Sequence, residues 1–485
     1  MTDSSITLRE HARAIWQAAV SAANPFELVR TALAQPEPEL AEALAGPGRI
    51  LVVGGGKAGA AMAAGVEAAL ADRLERLTGV VNVPAPPHPG PPPQGGREED
   101  VPQSRPPQKG GESLLTPSPL VGEGRGGGRN LHAIRLHAAR PAGTNQPTAE
   151  GVAGVRSMLE LVRGAGPNDI GLCLLSGGGS ALLPAPVAGI TLADKQHVTA
   201  LLHACGATIN EMNCVRKHLS EIKGGRLAQA FGQRPLFSLL ISDVIGDPLD
   251  VIASGPTAAD PTTFADALAV LERYALTPRV PPDVLAHLER GRNGAIPETL
   301  KTLPPAVHNL ILGNNSRALA AARQKAESLG YPVLDLGSSI EGETRQVAIA
   351  LAGIVRSIRA EGRPMRPPVC VLSGGETTVT LGPGHGRGGR NQEFVLSAAV
   401  YLGAAGLRRV VVLSGGTDGE DGPTDAAGAL ADDSTLERAA RHGLDPAAYL
   451  ERHDAYTFFD ATSDLLKTGL TQTNVMDVRV LLIGE

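Results

Sequence analysis

Residues 49–59 read RILVVGGGKAG, and this stretch decides the class of fold that we expect. An apolar run at 50–53 ends in three glycines, and an alanine-rich stretch with helical composition follows to about Ala71. A second apolar run, GVVNV, occupies 79–83. Two runs of strand length separated by a helical stretch indicate a β-α-β unit.

The same order returns along the chain. Apolar runs precede SGGGS at 176–180, Ser242 and Asp243, SGGE at 373–376 and SGGTD at 414–418. Continuous apolar strands that alternate with helices predict α/β domains, whose ligands bind at the carboxyl ends of the strands. We therefore expect two Rossmann-like domains with parallel or mixed sheets flanked by helices, and the glycine-rich strand ends should point at the ligand site.

The length of 485 residues is too great for one hydrophobic core, so we expect two large domains, at 1–300 and 301–485. The turn-rich stretch 261–303 is where we expect the chain to pass between them. Residues 84–130 contain 12 Pro and 10 Gly, a composition typical of a disordered insertion. We expect removal of residues 85–129, with direct rejoining of the chain, to leave folding and activity largely intact.

Composition excludes several kinds of partner. The net charge of −6 provides no basic field for nucleic acid, and the four cysteines lack metal-ligand spacing. No apolar run approaches about 18 residues, and the first residues lack the features of a signal peptide. The sequence therefore predicts a cytoplasmic protein, a monomer or homodimer, that acts on small molecules without a membrane.

The glycine loop at 54–59 satisfies the GxGxxG pattern but is unusual for a dinucleotide site. No acidic residue follows the second strand, and Lys57 stands inside the loop. A lysine beside free backbone N–H groups at a helix N-terminus favours phosphate or carboxylate. The alternative is a tight turn with a solvated lysine. Ala58, where a Walker A motif has Ser or Thr, argues against that motif.

Three glycine loops with hydroxyl groups offer backbone approach to phosphate, although each alone is more often a simple turn. We expect nucleotide contacts from a set of small and polar residues: Gly55, Gly56, Ser176, Gly177, Gly178, Gly179, Ser180, Asn314, Gly374, Gly375, Glu376, Gly415 and Gly416.

Charged residues near these loops supply the candidates for chemistry. Arg390 begins a predicted helix and can neutralise charge on a transferring phosphoryl group, although a solvated basic loop is the commoner outcome. Asp243 and Asp418 each follow an apolar strand, where a carboxylate can bind Mg²⁺ or accept a proton. Asp425, nearby, suits either Mg²⁺ or a helix cap.

These motifs in series resemble the class II glycerate 2-kinases over nearly the whole chain apart from 84–130. The resemblance rests on GGGKA at 54–58, LSGGGSA at 175–181, VRKHLS at 215–220, SDVIGD at 242–247, GGRNQE at 388–393 and SGGTDG at 414–419. It implies a cleft between two α/β domains, with ATP and Mg²⁺ as cofactors. D-glycerate would be the acceptor and 2-phosphoglycerate the product.

The resemblance also implies that Lys57 and Arg390 are catalytic. Where many relatives have His-Pro-x-Pro-Asp, residues 139–148 read ARPAGTNQPT, and this departure concerns the acceptor rather than the nucleotide. Two other functions remain open at this point. One is a hydroxypyruvate reductase using NAD(P)H at 54–59, and the other is a non-catalytic sensor of sugar acids or nucleotides.

Overall fold

The computed structural model describes residues 3–85, 131–141 and 146–485. Most of the predicted insertion at 84–130 therefore lies outside the described residues, as does 142–145. Within the described part, two six-stranded sheets carry helices on their faces. This arrangement confirms the predicted α/β class.

The first sheet is parallel throughout and has the strand order β3-β2-β1-β4-β5-β6. The chain adds strands on one side of β1, then returns to add the rest on the other side. Ligands in open α/β sheets bind where the order reverses, which here is the crevice outside β1 and β4. The strands are β1 (Ile50–Gly55), β2 (Leu77–Pro84), β3 (Ile134–Arg140), β4 (Ile170–Leu175), β5 (Leu236–Ile241) and β6 (Val307–Gly313).

The second sheet is mixed. Its strands are β7 (Val333–Asp335), β8 (Val369–Gly375), β9 (Val410–Gly416), β10 (Gly428–Ala431), β11 (Leu465–Leu466) and β12 (Asp477–Ile483), in the order β11-β10-β9-β12-β8-β7. Because β12 is antiparallel to both β8 and β9, the ends of those two strands meet the start of β12 at one edge.

Helices cover both sheets. The helices of the first part of the chain are α1 (Asp3–Ala22), α2 (Pro25–Ala34), α3 (Pro38–Ala45), α4 (Gly59–Ala69), α5 (Ala149–Arg163), α6 (Gly179–Leu182), α7 (Leu192–Ala204), α8 (Ile209–His218), α9 (Arg226–Phe231), α10 (Phe264–Arg273) and α11 (Pro282–Arg292). The helices of the second part are α12 (Asn315–Ser328), α13 (Thr344–Glu361), α14 (Arg390–Leu407), α15 (Thr435–Arg441), α16 (Pro446–Glu451) and α17 (Ala455–Ala461). Residues of α7, α8, α10 and α11 share a hydrophobic cluster of their own.

Sheet membership differs from the predicted division at 300/301. Strand β6 completes the first sheet, and α10 and α11 occupy much of the stretch 261–303 that was predicted as the passage between domains. The N-terminal helix α1 instead packs against α12, β9 and β12. Its Trp16 is buried and donates a hydrogen bond to the Gly415 carbonyl at 3.1 Å. The division into two domains itself stays a prediction.

The pairing of β2 with β3 sets a condition on the chain between them. Gly79 donates its N–H to the Ala133 carbonyl, and Ala85 donates its N–H to the Arg140 carbonyl. The chain thus leaves at the carboxyl end of one strand and returns at the amino end of a parallel neighbour. A seven-residue strand is about 23 Å long, so a connection must cover that distance. This geometry argues against the predicted direct join of the two ends.

Candidate active site

Lys57 lies in the loop between β1 and α4, which interlocks with the loop after β4. Gly54 has φ +139°, and a Cβ there would lie 2.0 Å from the Leu174 carbonyl oxygen, so this position requires glycine. A Cβ on Gly56 would lie 2.0 Å from Ser176 Oγ. The close approach of the two loops fixes the position of Lys57.

The same interlocking uses the backbone N–H groups that the sequence suggested for phosphate. The N–H of Lys57 donates to the Gly177 carbonyl at 2.8 Å, and that of Ala58 donates to Ser176 Oγ at 3.0 Å. Gly56 and Gly59 also donate to backbone carbonyls. The prediction of free N–H groups in this loop is therefore wrong. What the loop presents to a ligand is the Lys57 side chain, which is 40% exposed.

The loop after β4 does offer backbone donors. The N–H groups of Gly177, Gly178 and Ser180 have no acceptor among the residues that the structure describes. Gly178 is in the left-handed conformation, with φ +74°. Successive amides in such a turn form a concave site for anions. Ser180 Oγ lies 2.8 Å from Ser254 Oγ.

Asp243 follows β5 and reaches the same crevice. A Cβ on Gly177 would lie 2.3 Å from Asp243 Oδ2, so a glycine is needed beside this carboxylate. Asn474 donates to Asp243 Oδ2 at 3.4 Å from the second part of the chain. Burial, reinforced by the charge of Glu376, raises the pKa of Asp243 to about 6, although Lys57 acts in the opposite direction.

The second sheet contributes Asp418 from the end of β9. Asp418 Oδ2 lies 3.6 Å from Lys57 Nζ, so the pair joins the two sheets across the crevice. Asp418 Oδ1 accepts a hydrogen bond from the Glu420 N–H at 3.2 Å, which orients the carboxylate. The structure thus brings together three predicted residues, Lys57, Asp243 and Asp418.

Arg390, the first residue of α14, points at two carboxylates. Its Nε and Nη2 donate to the two oxygens of Asp477 at 2.7 and 2.9 Å, and Nη2 lies 3.0 Å from Glu376 Oε1. Burial lowers the pKa of Arg390, but the charges of Asp477, Glu376 and Asp421 together outweigh that effect, and the pKa is raised. Partial burial raises the pKa of Glu376, whose side chain is still 45% exposed, and Arg390 partly offsets this. The prediction of a supported arginine holds.

Asp477 is a residue that the sequence reasoning missed as part of the site. It is the first residue of β12 and is fully buried. Asn391 donates to its Oδ1 at 2.8 Å. An aspartate directly before a run of apolar strand residues was the available signal. Its meaning depends on β12 running antiparallel to β8 and β9, which the sequence does not reveal.

The remaining acidic residues of this loop have structural contacts. Asp421 accepts hydrogen bonds from the N–H groups of Asn391 and Gln392 at 3.0 and 2.8 Å, so it caps α14. Burial raises the pKa of Asp421 to about 7. Asp425 accepts from the Tyr456 hydroxyl at 2.6 Å and pairs with Lys467. It caps no helix, so that alternative is wrong for Asp425.

Several of the residues predicted to contact a nucleotide also have packing partners within the protein. Asn314 caps α12 by accepting from the Arg317 N–H, and it donates to Asp247. A Cβ on Gly374 would lie 1.7 Å from Asn315 Oδ1. Further glycines of the set also have close neighbours, with a Cβ lying 2.3 to 3.0 Å from them: Gly55 against Leu183, Gly179 against Ala253, Gly375 against Ile340, Gly415 against Trp16 and Gly416 against Glu420. Close packing accounts for these glycines, and their contact with a nucleotide stays a prediction.

The crevice could hold a metal ion only with help from a ligand. Among the described residues, no three His, Cys, Asp or Glu side chains are grouped so that they could hold a metal ion. Mg²⁺, however, is usually bound by one or two carboxylates plus substrate phosphates. Asp243 and Asp418, which face Lys57 from the two sheets, fit that requirement.

The fold and the crevice define a class of protein, the α/β enzymes that handle phosphorylated ligands at strand ends. The domain described as "Domain of unknown function (DUF4147)" matches residues 11–289, and the MOFRL family matches residues 369–477. No helix in the described part of the chain is long and apolar enough to cross a membrane.

Known proteins resemble the chain over most of its length. A protein of Agrobacterium vitis named "Putative hydroxypyruvate reductase" is 41% identical over 492 residues, 100% of this chain and 96% of that protein. Glycerate 2-kinase of Pyrococcus horikoshii is 40% identical over 359 residues, 74% of this chain and 80% of that protein. The crystal structure of glycerate kinase from Thermotoga maritima superposes with a TM-score of 0.80 at 33% identity, covering 98% of this chain and 99% of that one. The chain belongs to the glycerate 2-kinase family.

Proposed function

We propose that this protein transfers the γ-phosphoryl group of ATP to the 2-hydroxyl of D-glycerate, giving 2-phosphoglycerate and ADP. The observation that carries the proposal is the Lys57–Asp418 contact of 3.6 Å across the crevice, with Arg390 and Asp243 at the same edges. Both sheets thus present charged groups to one space. We propose that the reaction takes place in the cytoplasm.

Lys57 and Arg390 supply positive charge. Phosphoryl transfer requires little covalent help from a protein, and most of its catalysis comes from alignment and from neutralising charge on the phosphoryl oxygens. Lys57 is half-exposed and can approach these oxygens. Arg390 is held by Asp477, and its Nη2 contact with Glu376 can be exchanged for a phosphate oxygen.

The two aspartates divide the remaining work. Asp418 and Asp243 would hold Mg²⁺ together with phosphate oxygens. When bound, Mg²⁺ would neutralise phosphate charge. Asp243 accepts the proton of the acceptor hydroxyl, since a pKa of about 6 lies close to neutral pH, which suits a general base. The loop at 177–180 contributes backbone N–H donors to phosphate oxygens.

The reductase function has less support from this site, despite the name of the Agrobacterium relative. A dinucleotide needs free N–H groups at the first glycine loop and an acid after the second strand. Here the N–H groups from Gly56 to Gly59 are engaged, and β2 ends at Pro84 and is followed by Ala85, neither of which is acidic. A sensor would need neither Lys57 nor the carboxylates that surround it.

The test is ADP release from ATP by the purified protein against a panel of hydroxy acids, with NADH oxidation by hydroxypyruvate measured in parallel. We expect ADP release with D-glycerate, a 2-phosphoglycerate signal by ³¹P NMR, and no NADH oxidation. NADH oxidation without ADP release would reject the kinase and support the reductase.

A further inference from the structure

A second concave feature adjoins the crevice on the side of the first sheet. It is a cavity of about 550 Å³ behind the loop after β4, between α6, α7 and α8. Its lining includes Ser180, Pro184, Lys195, Arg216 and Lys223. Ligand pockets commonly have volumes of about 300–1,000 Å³, so this cavity is large enough for a small molecule.

Three cations line this cavity, and none of them forms an ion pair with another described side chain. Lys195 is 8% exposed and donates to the Leu219 carbonyl at 3.0 Å. Lys223 is 2% exposed and donates to the Ser180 carbonyl at 3.0 Å. Arg216 approaches the same Ser180 oxygen at 3.4 Å. None of the described residues lining the cavity is acidic.

Lys217, which is next to Arg216 in the chain, differs from the cavity cations because it has acidic partners. Lys217, also on α8, contacts Asp250 at 2.9 Å and Asp260 at 3.3 Å. The cavity cations have backbone carbonyls but no compensating charge. Burying a charge without a counter-charge is costly, so these groups favour an anion in the cavity.

The electrostatics agree with the geometry. Burial, together with the positive charges of Arg216 and Arg226, lowers the pKa of Lys195 to about 7. Burial, together with the positive charges of Arg216, Lys195 and Lys217, lowers the pKa of Lys223 well below its usual value. A bound anion would reverse both effects and keep the lysines charged.

We propose that this cavity binds the carboxylate of the hydroxy acid that the enzyme phosphorylates. The inference rests on the proposed function. Its geometric basis is the position of Ser180, which lines the cavity. Ser180 is three residues from Gly177, and Gly177 lies beside Asp243 of the crevice. Three residues of chain span at most about 11 Å, and less in a turn. A short acid anchored beside Ser180 therefore directs its hydroxyl end towards the crevice.

The test combines binding with kinetics in Arg216→Gln and, as a second variant of the cavity, Lys195→Gln. Arg234→Gln is the matched control, because Arg234 also donates to backbone carbonyls but lies just before β5, at the opposite edge of the sheet. Calorimetry measures binding of D-glycerate, uncharged glycerol and inorganic phosphate. Steady-state kinetics give KM for D-glycerate and for ATP separately.

We expect each cavity variant to raise Kd and KM for D-glycerate about tenfold or more, because a charge-assisted contact is lost. KM for ATP should stay within about twofold, and the control should change neither constant. Glycerol should bind weakly to every form. Unchanged KM for D-glycerate in both cavity variants, or an equal rise in KM for ATP, would overturn the proposal.

Two further outcomes separate this inference from the proposed function. Binding of D-glycerate that the cavity variants weaken, without any turnover by the wild-type protein, would reject the kinase but keep the acid site. If the wild type turns over D-glycerate and both cavity variants have unaltered Kd and KM for it, the proposed kinase activity stands and the carboxylate site is rejected. Tight binding of inorganic phosphate that competes with ATP would assign the cavity to nucleotide phosphates and overturn the proposal.

Discussion

Asp243 is partly buried, and this position conflicts with the role of a base that we propose for it. Its pKa of about 6 lies above the ordinary value of 3.8 because burial disfavours the charged form. The folded state therefore binds a proton more tightly than the unfolded state does. The free energy of unfolding falls as pH rises from about 4 to about 6. Above that range the folded protein bears the full free-energy cost of an ionised Asp243 carboxylate.

We predict that Asp243→Asn stabilises the protein at pH 8 by about 1–2 kcal/mol and has little effect on stability near pH 3. The same change should lower kcat about a hundredfold or more, since it removes the base. Urea unfolding at the two pH values and steady-state kinetics measure both effects. For the wild type, kcat/KM should decline below about pH 6. Lower stability of the variant at pH 8 would contradict the buried-carboxylate explanation.

At this scale the sequence predicted part of the site. Lys57 and Asp243 follow strands of one parallel sheet, whose carboxyl ends lie on the same side, so their proximity could be expected. Asp418 follows a strand of the second sheet, and its contact with Lys57 depends on how the two sheets face each other, which the sequence does not reveal. Asp477 could not be placed, because its position depends on the antiparallel direction of β12. The N–H groups of the first glycine loop were misjudged because their acceptors, Gly177 and Ser176, belong to a distant part of the chain.

Helix α14 sets the position of Arg390, and its N-terminus depends on Asp421. The buried Asp421 carboxylate accepts hydrogen bonds from two backbone N–H groups of the helix. A Cβ on Gly389 would lie 2.3 Å from Asp421 Cγ, so this position needs glycine. The sequence suggested Asp425 as a helix cap, whereas the structure gives that role to Asp421. Sequence spacing alone could not show that the capped helix precedes the cap in the chain.

We predict that Asp421→Ala lowers the free energy of unfolding by about 1–3 kcal/mol, because two buried N–H groups lose their acceptor. It should also lower kcat through displacement of Arg390. Asp425→Ala is the control, because Asp425 lies in the same loop but does not cap α14. The Asp425 carboxylate contacts the Tyr456 hydroxyl and Lys467. Thermal unfolding and kinetics of both variants test the difference. Equal effects of the two changes would reject the capping role.

At the scale of the whole molecule, the sequence predicted two α/β units but not how the chain is shared between them. Helix α1 packs on the second sheet through Trp16, although it precedes every strand of the first. Apolar spacing predicts a helix with a buried face, but it does not say which sheet covers that face. The family resemblance gave the activity, whereas the residues alone left a reductase and a sensor open.

We predict that residues 86–130 can be replaced by a Gly/Ser linker of about 12 residues without loss of folding or activity. Such a linker can cover the roughly 23 Å between the end of β2 and the start of β3. A direct join of Ala85 to Leu131 should instead yield little folded protein, because it cannot cover that distance. Circular dichroism and ADP release compare the two deletions. Folding of the direct join would contradict the parallel pairing of β2 with β3.

The central claim is that two cations from different sheets act on one transferring phosphoryl group. Lys57→Ala tests the first cation. For the second, Arg390→Gln removes the charge but keeps a donor for buried Asp477, which Arg390→Ala would leave unpaired. Each single change should cost about 3–6 kcal/mol in kcat/KM for D-glycerate.

The double-mutant cycle in kcat/KM is the most direct measurement of this claim. Residues that stabilise one charge distribution as a unit are not additive, so the double variant should lose much less than the sum of the two single losses. Circular dichroism should show that all three variants remain folded. Strict additivity would mean that Lys57 and Arg390 serve separate ligands, and near-normal activity of either single variant would contradict the shared site.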